Sequence, residues 1–398
     1  MLRPMHRPVV ELAKDMEASI RRGHPWLFDR ALRRMPAVAA GDLVTVARSG
    51  RHLAVGYADP GAPIAVRVLE TDPGAEVGAA WARERARQTA AVRVGDPRLA
   101  ASDAVRAVHG EGDGMPGLVI DLYAGVAVVV FDGSGAAGFW RPRVGAVLAG
   151  LRDAGLTARS AWLKPQRRGG GGGELLEGDE PPPLVDIEEN GARYTVDVRR
   201  GQKTGFFLDQ RDNRRVAGEL AAGAEVLNLF AYTGGFSVQA ALGGARRVVT
   251  VDLAAAAVDA ARDNFTRSGL EPAAHRFEAA DVFDVLARER DAGARYDLVI
   301  CDPPSFAPNA RARGRALEAY RRLNAEALGV VAGGGVLLTA SCSSHVGEVD
   351  LIACVADAAV RAGRRLRVRQ IRGAATDHPV RPAFPEGHYL TLLECAVE

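Results

Sequence analysis

Three stretches of the sequence pair residue type with a spacing that can do chemistry. The first is Asp302-Pro303-Pro304-Ser305-Phe306, directly after the apolar run Tyr296 to Cys301. Two prolines make a stiff turn with no backbone donors of its own, so the Asp302 carboxyl is held at a fixed angle. Phe306 offers a face on which an extruded base can stack. The second stretch is Leu337-Leu-Thr-Ala-Ser-Cys-Ser-Ser-His345, where Cys342 follows another apolar run, is flanked by hydroxyls, and lies near a helix start that favours a thiolate. The third is Val226-Leu-Asn-Leu-Phe-Ala-Tyr-Thr-Gly-Gly-Phe-Ser237, a strand, a glycine turn and a helix start. Such a turn lets the backbone approach a ligand closely. Asp252 ends the next strand about 20 residues on, where an acid accepts from ribose hydroxyls. Asp281 ends the third strand, placed to accept from an adenine amine, and Asp302 ends the fourth.

Each of these residues has a plainer reading. A strand-end acid is as readily a helix N-cap. For three successive acids beside a glycine turn, that reading explains less than a ligand-binding sheet edge does. Cysteine in a cytosolic protein is most often a small buried hydrophobe. That reading suits Cys301 in its strand, Cys354 in a helix and Cys395 in the last strand. Beside Asp302 and a nucleotide-type cleft, Cys342 reads instead as a nucleophile.

The elements that must position these groups alternate strand and helix over about 191–398. Strands are expected at Glu225 to Ala231, Val248 to Asp252, His275 to Ala279, Tyr296 to Cys301, Gly335 to Ala340, Leu366 to Ile371 and Tyr389 to Ala396. Helices are expected between them, including Gly314 to Val331 and Val346 to Ala362. The pattern argues for an α/β fold, a mostly parallel sheet wound with helices, whose last two strands form an antiparallel pair. Residues 1–72 read as a small, mostly β domain. Residues 73–190 read as α+β, with a helix over 138–153. Arg167-Arg168, Gly169 to Gly173 and Pro181 to Pro183 bury too little to order themselves, so a long mobile loop, with a hairpin tip, is expected near 167–183.

Composition sets outer limits. The 398 residues suggest two or three domains. Lys plus Arg is 51 and Asp plus Glu is 49, giving a net charge of +2, which excludes nucleic-acid binding by bulk charge alone. Only Lys14, Lys164 and Lys203 are lysines, so phosphate contacts must be built from arginine forks. Charges through the first 20 residues leave no apolar segment for a signal peptide, and no run is long enough for a membrane span. The four cysteines form no C-x-x-C pair, so no metal site or disulfide framework is indicated and free thiols in the cytoplasm are expected.

With those motifs in view, the whole chain resembles the bacterial 23S ribosomal RNA large subunit cytosine-C5 methyltransferases that carry a PUA-like domain. They are a branch of the class I S-adenosylmethionine-dependent methyltransferases. The most specific matching pieces are Arg22-Gly-His-Pro-Trp-Leu-Phe28, Glu111-Gly-Asp-Gly-Met-Pro-Gly117 and Lys203-Thr-Gly-Phe-Phe-Leu-Asp-Gln-Arg-Asp-Asn213. Further matches are Phe230 to Phe236, Asp302-Pro-Pro, Ser341-Cys-Ser343, Asp377-His-Pro-Val380 and Pro385-Glu-Gly387. The resemblance implies a PUA-like domain over 1–72, a central α+β domain over 73–190 and a Rossmann-like seven-stranded methyltransferase domain over 191–398. It implies S-adenosylmethionine as donor, with Phe230, Ala231, Tyr232, Gly234, Gly235, Ser237, Asp252, Asp281, Val282 and Asp302 around it. The run Phe207, Leu208, Asp209, Gln210 and Arg211 would fold over the donor. Cys342 would be the nucleophile and Asp302 would meet the target base. Arg22, His24, Trp26, Phe28, Arg30 and Phe306 would contact RNA, with Arg21, Arg33 and Arg34 near them. The implied partner is 23S ribosomal RNA or a large-subunit precursor, with no membrane; a homodimer is compatible. Two positions depart from the family pattern: Pro304 stands where many relatives have a second cysteine, and Ser305 where close relatives often have lysine.

The chemistry expected is covalent. C5 of cytosine is a poor nucleophile until a thiolate adds at C6. Asp302 would support N3, which calls for a raised pKa, and the target must leave its stack. Competing readings are a base N-methyltransferase acting on guanine or adenine, with Cys342 incidental, and a non-catalytic RNA-binding assembly factor. A dinucleotide oxidoreductase is more distant, because the glycine turn is wrong for a pyrophosphate.

Overall fold

Alternating apolar residues in the first 72 positions pair into a six-stranded sheet, seen in a computed structural model that describes residues 7–165, 173–307 and 309–398. Its strands run in the order Trp26–Phe28, Ile64–Glu70, Arg51–Ala58, Leu43–Arg48, Val9–Leu12, Leu32–Arg34. One face packs Val10, Leu27, Val44, Val46 and Val66 into a small core. A second sheet orders Glu174–Glu177, Ser160–Leu163, Val126–Phe131, Leu118–Tyr123 and Ala104–His109. Three helices, Ala79–Val94, Ser134–Trp140 and Val144–Asp153, contribute to the core built on this sheet.

The chain divides into two compact units. One comprises residues 1–187, 196–208 and 376–387; the other comprises 188–195, 209–375 and 388–398. In the first unit the Glu111 to Gly117 motif is a knot of internal contacts. Glu111 accepts from the Trp26 indole N–H at 2.8 Å and pairs with Arg67. Asp113 takes both ends of the Arg93 guanidinium at 2.7 and 2.8 Å. Gly112 has no room for a side chain, since a Cβ there would lie 2.1 Å from the Pro379 carbonyl oxygen. The motif is thus conformational, seating the returning 376–387 segment.

The second unit carries a seven-stranded sheet: β1 Glu225–Leu229, β2 Arg247–Asp252, β3 Arg276–Ala279, β4 Tyr296–Cys301, β5 Val331–Ser341, β6 Leu366–Arg372 and β7 Thr391–Val397. The spatial order is β3-β2-β1-β4-β5-β7-β6. Strands β1 to β5 are parallel, and β7 is antiparallel to both β5 and β6. Residues 226–229 and 298–301 are buried without alternation, as strands covered on both faces require. The helices are α1 Arg211–Glu219, α2 Gly235–Leu242, α3 Ala255–Arg267, α4 Val282–Asp291, α5 Arg313–Leu328 and α6 Glu348–Arg361. The α/β class and antiparallel final pair are as expected.

Three local expectations fail. Helix α5 stops at Leu328, and residues 331–334 are strand instead, because Gly329 caps the helix and Gly334 turns at φ +80. The 138–153 helix is two α-helices separated by a 3-10 turn over Arg141–Arg143, where Pro142 cannot donate to a preceding carbonyl. The Gly169 to Gly173 run lies almost wholly outside the described residues. Within the rest of the expected loop, Glu174–Glu177 forms a strand antiparallel to Ser160–Leu163.

Candidate active site

The strongest local feature is the turn after β1. Phe230, Tyr232 and Gly234 all have positive φ, +58, +48 and +79. Two bulky aromatics in that region are strained, and such strain persists only where surrounding contacts fix it. The contacts are visible. Ala231 N–H bonds the Val251 carbonyl at 2.9 Å, and Asn264 on α3 donates to the Thr233 carbonyl at 2.9 Å. Asp252 Oδ2 accepts from Tyr232 N–H at 2.8 Å, while its Oδ1 accepts from Ala254 N–H at 2.9 Å. Asp252 is therefore a clamp on the turn, and each oxygen keeps a second lone pair for a ligand hydroxyl. The Thr233 hydroxyl is buried with no hydrogen-bond partner. A strained turn, a half-buried carboxylate and an orphaned hydroxyl suit a polar ligand, and they fit an adenosine-bearing donor such as S-adenosylmethionine.

Beside that turn stand the ends of β4 and β5. Their register places Cys301 opposite Thr339, so Asp302 and Cys342 follow adjacent parallel strands to one sheet edge. Half-buried Cys342 donates its thiol toward the Pro303 carbonyl at 3.7 Å. Ser343 donates to the Ala307 carbonyl at 3.2 Å, so two bonds join the loops. The proline turn thus fixes Asp302 and also receives the cysteine. Cys301 and Cys395 are buried and their thiols are pushed up in pKa, Cys395 to about 12, mainly by desolvation. Cys354 is buried and raised for the same reason. All four are free thiols, and the three core assignments hold.

Several expected contacts are placed differently. Ser237 is fully buried, bonded to Asn228 at 2.9 Å and Thr250 at 2.8 Å, so it ties β1 to β2 and α2. Val282 is a core residue. Asp281 is exposed and caps α4 through the Phe283 N–H at 2.8 Å. Phe306 packs its ring 4.9 Å from that of Tyr320 and belongs partly to the core, which limits its use as a stacking platform. Phe207 lies in the first unit, with the Lys203 ammonium 4.5 Å from its ring. Asp209, Gln210 and Arg211 are buried in the second. Asp209 accepts from Tyr389 at 2.7 Å, Gln210 from Asn213 at 2.6 Å, and Arg211 sits 3.6 Å from Glu189. These three brace the start of α1.

In the first unit, Arg22 and Arg30 are exposed, and Arg30 stands 5.4 Å over the Phe28 ring. His24 lies 3.4 Å from Glu386. Half-buried Trp26 is held by internal contacts. Its N–H is held by Glu111, and its ring packs edge-on to Phe384 at 4.6 Å. The contribution of Asn264 was missed. Its signal is a polar residue on the buried stripe of α3, among Ala257, Ala261 and Phe265.

Among the described residues, no group of three or more His, Cys, Asp or Glu is placed to hold a metal, and no helix is long and apolar enough to cross a membrane.

The family described as S-adenosylmethionine-dependent methyltransferase matches residues 150–370, and a PUA-like domain matches residues 10–71. A protein of Shewanella denitrificans named ribosomal RNA large subunit methyltransferase I is 38% identical over 395 residues, covering 98% of this chain and 99% of its own. A protein of the same name from Escherichia coli is 35% identical, covering 97% and 98%. Among solved structures, a protein described as a SAM-dependent methyltransferase from Streptococcus mutans superposes with a TM-score of 0.82 at 22% identity, covering 98% of this chain and all of that one. The methyltransferase SMU.776, solved with SAH, has a TM-score of 0.83 at 24% identity over 98% of this chain and all of that one. The chain belongs to the S-adenosylmethionine-dependent methyltransferase family, in the group of ribosomal RNA large subunit methyltransferase I.

Proposed function

We propose that this enzyme methylates C5 of a cytosine in 23S ribosomal RNA, free or in a large-subunit precursor, in the cytoplasm. The observation that carries the reading is the Cys342 thiol set against the Pro303 carbonyl, one residue from Asp302, at the carboxyl edge of the sheet. The names of the relatives support ribosomal RNA as substrate.

The bound S-adenosylmethionine supplies an electrophilic methyl group on a sulfonium. The chain's own residues supply the rest. Cys342, as thiolate, adds to C6 of the cytosine, which makes C5 nucleophilic. Asp302 holds N3 of the base as charge develops there. C5 would take the methyl group as the sulfonium–methyl bond breaks and the donor leaves as a neutral thioether; the C5 proton then goes to a base and the C6–sulfur bond breaks to return the thiolate. Pro304 carries no titratable group, so the proton acceptor lies elsewhere or is water. Asp252 would hold the ribose hydroxyls and Asp281 the adenine amine, and the turn at Phe230 to Gly234 would approach the donor with its backbone. Arg22, Arg30 and Phe28 grip RNA, as arginine–aromatic pairs do on single-stranded or bulged segments.

The test is RNA bearing 5-fluorocytosine, from which the C5 substituent cannot leave as a proton. Wild-type protein and S-adenosylmethionine should give a stable protein–RNA adduct mapping to Cys342, and Cys342→Ala should give none. An adduct that persists in Cys342→Ala sinks the assignment. A methyl group found by nucleoside mass spectrometry on an exocyclic nitrogen would favour N-methylation.

A further inference from the structure

Beneath the catalytic loops lies a tyrosine that the reaction as described does not use. Tyr320, on α5, has no exposed surface, and its hydroxyl has no hydrogen-bond partner. A buried hydroxyl left unbonded costs stability, which phenylalanine would avoid at equal ring size. The ring is fixed on one side by Phe306, the last residue of the Asp-Pro-Pro turn. One turn further along α5, Asn324 donates to the Tyr320 carbonyl at 2.8 Å. The hydroxyl faces the other loop. Ser341 stands near it without making a hydrogen bond to it. Burial holds the phenol well above its ordinary pKa, so it stays protonated and can donate.

The Ser341 side is loosely bonded. Its hydroxyl donates to the Val346 carbonyl at 3.4 Å and accepts from the Ser343 N–H at 3.4 Å. The Ser343 hydroxyl accepts from the His345 N–H at 3.3 Å, and Cys342 reaches Pro303 only at 3.7 Å. Hydroxyl bonds of full strength are nearer 2.7–2.8 Å, and bonds that are long in a ligand-free catalytic site commonly shorten in the reactive complex. A serine oxygen has two acceptor positions and one donor, so Ser341 can take a proton bond from Tyr320 while it donates to Val346.

We propose that Tyr320 is a positioning residue for the nucleophile: its buried hydroxyl bonds Ser341 when substrate engages, drawing the 341–346 loop into the setting from which Cys342 attacks. The proposal rests on the cytosine-C5 reading above. It places the tyrosine behind the thiol, acting through the serine, with no contact to RNA or donor.

Tyr320→Phe, Ser341→Ala and the double variant test it. The rate of adduct formation on 5-fluorocytosine RNA should fall about tenfold in each single variant, and the double should be no slower than the slower single. S-adenosylmethionine affinity by calorimetry should stay within about twofold, and the thermal midpoint of Tyr320→Phe should not fall, since only an unbonded hydroxyl is removed. A wild-type rate in Tyr320→Phe overturns the proposal. So does a loss that multiplies in the double variant, or one accompanied by a lower midpoint. Wild-type protein that forms no adduct sinks the cytosine-C5 reading itself; the tyrosine is then judged by methyl-transfer rate on native RNA, with the same expected loss and the same overturning results.

Discussion

The Cys342 thiol and the Pro303 carbonyl face each other at 3.7 Å, so the nucleophile loop and the acid-bearing turn constrain one another. A backbone carbonyl accepts from a thiol and repels a thiolate. Ionisation of Cys342 therefore breaks this contact and frees the sulfur to move toward a base in the cleft.

The cysteines should differ sharply in reactivity. Cys301, Cys354 and Cys395 are buried and raised in pKa by desolvation, while Cys342 is half-buried on a loop. Iodoacetamide at about pH 8 should alkylate Cys342 at least about tenfold faster than the others, with activity lost in step. Peptide mass spectrometry over a time course measures this. Equal labelling of Cys354 would contradict the burial argument.

Gly234 should tolerate no side chain. It has φ +79, and a Cβ would lie 2.7 Å from the Ala261 Cβ. Gly269 has a similar φ of +74 with open space around it. Gly269→Ala should cost about 1 kcal/mol from backbone conformation alone. Gly234→Ala adds overlap at a packed helix and should cost about 2–4 kcal/mol, with weakened donor binding. Denaturant melts and calorimetry compare the two; equal costs would remove the packing term.

Lys164 gives a pH signature. It is 7% exposed, donates to the Gly201 carbonyl at 2.7 Å, and its pKa is pushed down to about 8 by burial, partly opposed by Asp197 and Asp121. Between pH 8 and the ordinary lysine pKa of 10.5, the unfolded chain binds a proton that the folded chain lacks, so this residue's contribution rises with pH. Below pH 8 the full penalty applies, roughly 3 kcal/mol. The stability of wild type minus Lys164→Met should therefore rise across that window, read from urea melts at several pH values. A difference that is flat in pH counts against a charge buried at position 164.

Much of this site was legible in the primary structure because parallel strands leave continuous apolar runs and their ends carry polar residues. Asp252, Gly234, Asp302 and Cys342 all stand at such ends. What was not legible were partners distant in sequence. Nothing near Trp26 announces that Glu111 will accept a hydrogen bond from its indole N–H. Ser237 opens α2 beside a ligand turn, yet Asn228 and Thr250 claim its hydroxyl from two strands. Tyr320 fits the apolar stripe of its helix, so only the absence of a bond to its hydroxyl distinguishes it from ordinary core.

The chain's route between its units bears on how the protein is made. Residues 376–387 return to the first unit, where Asp377 accepts from the Arg106 N–H at 2.8 Å and its carbonyl accepts from Arg93 at 3.0 Å. The first unit thus acquires residues 376–387 only after residues 209–375 of the second have emerged. N-terminal domains commonly fold first on the ribosome. Here Arg93 and Arg106 must wait for residues 209–375 to emerge, so a chain released short of residue 376 leaves both units unfinished.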